Sequence, residues 1–517
     1  MAWLLELAAA RPAGLPLYRR RHVAVIAAIA AAWAGLLAGC TVGPDYVPPK
    51  PAMPASFTEH TASATSATQG PQTSNDAWWQ GFGDATLNSL MADALRSAPD
   101  LAIAEARIRE ARALRSIAGA DQYPSVDVGA KYDRTHGSAN VPVGVPPGGL
   151  GPGANGNLWQ AGFDASWEID VFGGKRRGVE AADASYQAAV ADRGDVELTL
   201  LAEVARNYIE LRGVQRQLAV ARSNLSIQQD SLSLTRSQFD AGLASRLDVL
   251  RAQAQVSDTE AVVPTFEANE RASIYRIGAL IGHPPEQLLA QLDTPQAIPS
   301  AIEDVPVGLP SDLLRRRPDI RAAERRIAAA NARIGVAQAD LYPHFSLTGV
   351  AGLESLNAST FLTAPSRYFS IGPSINWLIF DAGKVRFEMR AEEARTGQAA
   401  AAYQRTVLGA LRDVETALVS YAQSKVRHER LAAEVTADRE AVTIATRLYK
   451  QGLNDFLSVL DAERSLYAAD DKLAQSERDT ALERVALYKA LGGGWQAEGD
   501  AADIQAAGVD LRQRQSP

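Results

Sequence analysis

One cysteine, Cys40, stands among 517 residues, so no disulfide can form within the chain, and stability must come from packing and assembly. Histidine is scarce, six in all, and scattered; there is neither an HExxH signature nor the Cys–His spacing of a zinc site. Met53, Met91 and Met389 lie far apart, which counts against a dedicated soft-metal site. Basic residues are the minority, 52 against 60 acidic, for a net charge of −8. Nucleic-acid binding needs a basic face, so that class is set aside. Gly173-Gly174-Lys175 lacks the rest of a phosphate loop, and the glycine-rich stretch 144–156 leads into a strand rather than a helix. No catalytic residue, cofactor or metal is expected. No second run of about 18 apolar residues follows Cys40, so any further membrane crossing would be by β-strands.

What is present begins at that cysteine. Arg19, Arg20 and Arg21 precede an apolar stretch of about 18 residues that ends in Leu37-Ala38-Gly39-Cys40. This is the layout of an export signal (residues 1–39) closed by a lipobox, with Cys40 acylated after cleavage. The plain alternative is an uncleaved anchor helix with an incidental thiol. Two or three acyl chains hold firmly, each buried CH2 contributing about 0.8 kcal/mol. Thr41 is not the aspartate that favours inner-membrane retention, so the outer membrane is the expected destination. Residues 40–77, rich in Pro, Ala, Ser and Thr from Pro48 to Asn75, read as an extended tether.

The rest of the chain repeats. "PDLAIAEARI" at Pro99–Ile108 recurs as "PDIRAAERRI" at Pro318–Ile327, and Tyr123-Pro124 as Tyr342-Pro343. Phe239–Ala252 aligns with Tyr449–Ala462 at an offset nine residues smaller, because the first copy has the longer loop Gly144–Gly156. A period this long indicates a duplicated unit, 78–300 and 301–491, with a loose tail at 492–517. Gly282–Pro310 reads as a compact linker domain, and Arg315–Arg317 as a solvated turn before Pro318.

Each copy reads as helix, strand, loop, strand, long helix, turn, long helix. Apolar residues alternate strictly with polar ones from Trp159 to Val171 and from Val126 to Asp133. In the second copy Phe345, Leu347 and Leu353 mark one strand, and Phe369 to Ile379 the other. An ordinary half-buried sheet would alternate too, but strands of roughly 9–14 residues have the length that crosses a bilayer. Four strands cannot close a barrel, so protomers must share one; two, three or four copies give 8, 12 or 16 strands, and arithmetic alone does not choose. From Gly174 to Ala241 and from Lys384 to Gln451 no proline occurs, enough for helices of about 100 Å. Leu198, Leu201, Ala205, Tyr208, Leu211, Val214, Leu218, Ala221 and Leu225 follow coiled-coil-like steps of three and four. Gly242 and Gly452 stand where helices turn back.

The Cys40 signal with "GPDY" after it, Trp78-Trp79, "WEIDVFGGKRR", "LPSDLLRRRPDIRAAE", the "YP" before each hairpin and the two "GL" turns together resemble the TolC-like outer membrane factors. The likeness is to the OprM/NodT-like lipoprotein branch of resistance-nodulation-division multidrug efflux, and it runs from Trp78 to Leu491. The resemblance implies an α+β membrane protein: a homotrimer with a 12-stranded β-barrel in outer-membrane lipid, a periplasmic α-helical barrel and a small mixed equatorial domain. It implies a periplasmic adaptor and an inner-membrane pump as partners. The function implied is a passive exit duct for small molecules; the alternatives are the channel of a type I protein secretion system and a coiled-coil lipoprotein with no pore.

The resemblance also implies site residues. Ala241, Gly242 and Leu243, with Gln451, Gly452 and Leu453, would meet the adaptor. Asp461 would face the pore in an acidic ring at the periplasmic gate; one turn earlier stands Ser458 where some relatives carry a second acid. Tyr449, Arg246, Asp248 and Asp455 lie near the turns and are candidates for latches, Arg246 with Asp455 as one ion pair.

Overall fold

In a computed structural model of the chain, the described residues are 41–59, 75–140, 153–299 and 310–495, with Val305, Val307 and Gly308. Cys40 and the leader lie outside them, as do most of the glycine-rich loop and the tail beyond Trp495. The elements are α1 (Ala85–Ser97), α2 (Pro99–Ala120), β1 (Ser125–His136), β2 (Asn155–Ile169), α3 (Gly174–Asp240) and α4 (Arg246–Ile281). They continue with α5 (Pro318–Ala339), β3 (His344–Ser355), β4 (Arg367–Asn376), α6 (Lys384–Lys450) and α7 (Phe456–Ala490). The order α2-β1-β2-α3-α4 thus returns as α5-β3-β4-α6-α7, and α3 and α6 are 67 residues each. Proline opens α2 and α5, where the missing N–H has no helical partner to lose. Pro264 lies inside α4.

The chain forms two compact units of interleaved segments. The first holds all four strands with the adjoining parts of α2, α3, α5 and α6. Its sheet is antiparallel in the order β1-β2-β3-β4. β4 stops at Asn376, short of the expected Ile379: Trp377 to Phe380 lie beyond the ladder, and the Trp377 indole donates to Leu341 O at 3.1 Å. Trp167 donates likewise to Gln122 O at 2.9 Å, so each copy ties a tryptophan to the carbonyl before its Tyr-Pro pair.

The second unit is helical and holds the rest. Tyr208 and Arg212 on α3 are fully buried. The Tyr208 hydroxyl donates to the N-capping Asp84 at 2.7 Å, and burial pushes its pKa up to about 12. Trp78 stacks on Tyr488 with ring centroids 5.1 Å apart. The described part of the expected linker domain has no core of its own: its short turns bury Leu288 and Leu292, and Pro285 packs on α4 so closely that a Cβ at Gly278 would lie 3.2 Å from its Cα. The triple arginine is not a solvated turn throughout. Arg317 is 13% exposed; it pairs with Asp319 at 2.7 Å and Asp413 at 3.6 Å, and donates to Ala490 O. A guanidinium enclosed this way is structural.

Arg212 orders the linker. It donates to Thr294 O at 2.8 Å and Gln215 Oε1 at 2.6 Å, and lies 4.8 Å from the Tyr208 ring centroid. Arg212→Ala strips buried carbonyls of a charged donor, so it should cost on the order of 3 kcal/mol, read as a lower unfolding temperature. Arg212→Lys should not restore it, because an ammonium lacks the planar fork.

Candidate functional site

The sheet has two chemically opposite faces. Antiparallel partners point the same way, so the register sorts the side chains. One face carries Asp127 opposite Asp164, Lys131 opposite Gln160 and Glu354 beyond it, and Glu168 opposite Ser346. The other carries Val128 opposite Phe163, with Ala351 and Phe369 next in the row, and Ile169 opposite Phe345 and Ile375. Val128, Phe163, Phe369, Ile371 and Ile375 are 60–82% exposed. An apolar face of this extent, uncovered by the described residues, marks contact with lipid or protein. Among the described residues both edges are open as well, since β1 pairs only with β2 and β4 only with β3.

The second unit holds the two helix turns. Gly242 and Gly452 adopt left-handed φ of 76° and 69°, closing α3 and α6 by Leu243 N–H to Gln238 O at 2.8 Å and Leu453 N–H to Leu448 O at 2.9 Å. Past each glycine the leucine points outward, Leu243 at 77% and Leu453 at 71% exposed. Ala241 and Gln451 are exposed too.

The expected gate residues fall into three environments. Asp461 is exposed on α7. Asp248 and Asp455 belong to helix caps, Asp248 as the third-residue partner of the N-cap Ser245 and Asp455 as an N-cap itself: the Ser245 hydroxyl donates to Asp248 while Asp248 N–H donates back to Ser245, and Ser458 N–H and hydroxyl donate to Asp455. Ser458 thus serves the cap of its own helix. The hydrogen bonds from Ser458 hold the Asp455 carboxyl below its ordinary pKa. Arg246 opens α4 exposed, and among the described residues no ion pair within the chain joins it to Asp455. Tyr449 is not on an exposed face. It is 5% exposed in a core with Leu232, Ala252, Val256, Phe456, Val459 and Leu460, and burial pushes its hydroxyl pKa up.

A sequence model of the family described as outer membrane efflux protein matches residues 90–283 and again 309–493. The chain belongs to that family. Nodulation protein T of Rhizobium leguminosarum bv. viciae is 32% identical over 496 residues, 93% of this chain and 97% of that protein. The pyoverdine export outer membrane protein OpmQ of Pseudomonas putida is 33% identical over 458 residues, 86% and 93% of the two chains. Among solved structures, that of the outer-membrane channel OprN superposes with a TM-score of 0.82 at 40% identity, covering 89% of this chain and all of the other. The family is one of efflux channels rather than enzymes, and efflux through the outer membrane is the function that goes with membership.

This efflux protein also carries a buried acid that periodicity did not single out. Glu463 on α7 is 2% exposed and accepts a hydrogen bond from Ser231 on α3. Asn224, Gln228, Ser231 and Thr235, all buried, follow steps of four, three and four on one stripe of α3. Polar residues at core spacing were the available signal. Burial raises the Glu463 pKa, and the Ser231 hydroxyl pulls it back only in part. A raised acid is protonated in both states below its unfolded value, near 4.5, and its contribution is lost as pH rises through the folded value. Glu463→Gln should therefore raise the unfolding temperature at about pH 7.5, and the gap from the parent should close near pH 4. A gap independent of pH would point to packing instead.

Proposed function

We propose that the chain is the outer-membrane exit duct of a tripartite efflux pump, passively carrying small molecules from a periplasmic adaptor and an inner-membrane resistance-nodulation-division pump to the outside. The observation that carries this reading is the two-faced, open-edged four-stranded sheet. In lipid each unpaired edge group costs several kcal/mol, so the edges must find other copies. The family resemblance favours three, for a 12-stranded barrel with the acidic face toward water and the apolar face toward lipid, together with a tube of helices. Duplication of one ancestral unit accounts for the repeated element order. The relative named for pyoverdine export supports a small-molecule cargo over a protein. Acylation of Cys40 would add a second anchor to the barrel. Purified protein should run as a detergent-stable trimer; a stable monomer with intact strands overturns the shared barrel. Mass spectrometry of the mature N-terminus checks the lipid, and Cys40→Ala should weaken membrane retention without abolishing trimers.

In this reading the turns at Ala241-Gly242-Leu243 and Gln451-Gly452-Leu453 receive the adaptor. An exposed leucine beyond a left-handed glycine is a small apolar anchor of the kind helix tips bury on docking. Leu243→Asp or Leu453→Asp should abolish resistance conferred by the pump while trimer yield stays normal. Unchanged resistance removes the docking role. Asp461, three per trimer, supplies an acidic ring at the gate, and Arg246 with Asp248 and Asp455 can latch neighbouring helix pairs only by leaving or sharing their caps. Tyr449 then acts through the core under the turns rather than across the pore. Exposed pairs contribute about 0–1 kcal/mol each, weak enough for a docked adaptor to open. In planar bilayers Asp461→Ala should lower cation preference and Arg246→Ala should raise conductance; parental currents from both place the gate elsewhere.

A further inference from the structure

The segment directly after Cys40 is not loose. Val42 N–H donates to Phe172 O at 3.0 Å, at the junction between β2 and α3. Arg177, on the first turn of α3 and 4% exposed, donates to Val42 O at 3.1 Å, Gly43 O at 3.2 Å and the Asp45 carboxylate at 2.8 Å. On the other side Asn331 of α5 donates to Pro44 O at 2.9 Å. Two glycines make the seat. A Cβ on Gly335 of α5 would lie 2.7 Å from the Arg177 side chain, and one on Gly173 2.7 Å from Thr41. Gly43, at φ 94°, lies against Gly335 so closely that a Cβ there would come within 2.4 Å of its Cα.

The seat exists in one copy only. Where the first copy has the clamping Arg177, the second has Phe387. Where α5 has Gly335, α2 has Ser116, and where it has Asn331, α2 has Arg112.

We infer that Thr41–Tyr46 is a docked strap, clamped by Arg177 across α3 and α5, which fixes the chain's acylated N-terminus beside the β2–α3 junction. The strap links the two copies, since α3 belongs to the first and α5 to the second. The acyl group is thereby delivered to one point next to the sheet of its own chain, rather than at the end of a free tether. The lipid part rests on the acylation of Cys40 proposed above; the clamp does not.

Hydrogen exchange measured by mass spectrometry on the full-length, processed protein in lipid nanodiscs tests it. Amides 41–46 should exchange at least tenfold more slowly than those of 49–59 in the parent, and lose that protection in Arg177→Gln. Arg177→Lys should not restore it, because one ammonium cannot reach two carbonyls and a carboxylate together. If Arg177→Gln fails to assemble, Asp45→Ala with Asn331→Ala carries the same test from outside the helix core. Fast exchange of 41–46 in the parent, or protection indifferent to these variants, overturns the strap. The mass of the N-terminal peptide from the same digest reads acylation separately: an unmodified Cys40 with 41–46 protected removes the lipid reading and leaves the clamp standing.

Discussion

Backbone pairing at the sheet edges is the constraint on which the rest depends. Twelve, fifteen, twelve and ten residues of strand present two rows of unpaired N–H and C=O groups, one along β1 and one along β4. Water would tolerate them; hydrocarbon does not. A sheet whose apolar face meets lipid, as proposed, needs further strands along both edges. Because the side-chain period is two, a single-residue slip in any of the three ladders would turn Asp127, Asp164 and Glu168 toward lipid and Val128 and Phe163 toward water.

The helices obey a different economy. Residues at steps of three and four make α3 and α6 run 67 residues without a break, and small side chains keep the packing close. Ends, not middles, carry the information. A left-handed glycine stops each long helix, and a serine or aspartate cap starts its return, so that Leu243 and Leu453 are pushed outward by backbone geometry rather than by any contact of their own. Beneath them Tyr449 and Phe456, with ring centroids 5.7 Å apart, stiffen the turn from inside.

Two copies of one unit need not stay equivalent. Tryptophan-to-carbonyl ties before each Tyr-Pro pair are kept in both, since each strand entry needs the same anchor. The seat for the N-terminal strap is not: among the described residues a segment is held in the first copy's groove. The strap's partners differ between the copies: Arg177 stands against Phe387, Gly335 against Ser116 and Asn331 against Arg112.

By itself the sequence determined the period of each element, the two long proline-free helices, the positions of the turning glycines, the doubled order of elements and the polarity of each sheet face. These are local properties: they depend on neighbours two to four residues apart, and a chain displays them before it folds. Tertiary structure alone decided what the charged and aromatic side chains do. Arg317 belongs to Asp319, Asp413 and Ala490 rather than to solvent, Tyr449 to a core rather than a pore, Asp455 to its own helix cap, and Arg177 to a strap more than 130 residues away. No periodicity records such pairings. They arise when segments remote in sequence are brought together, and a guanidinium or carboxylate enclosed there must take the partner that arrives.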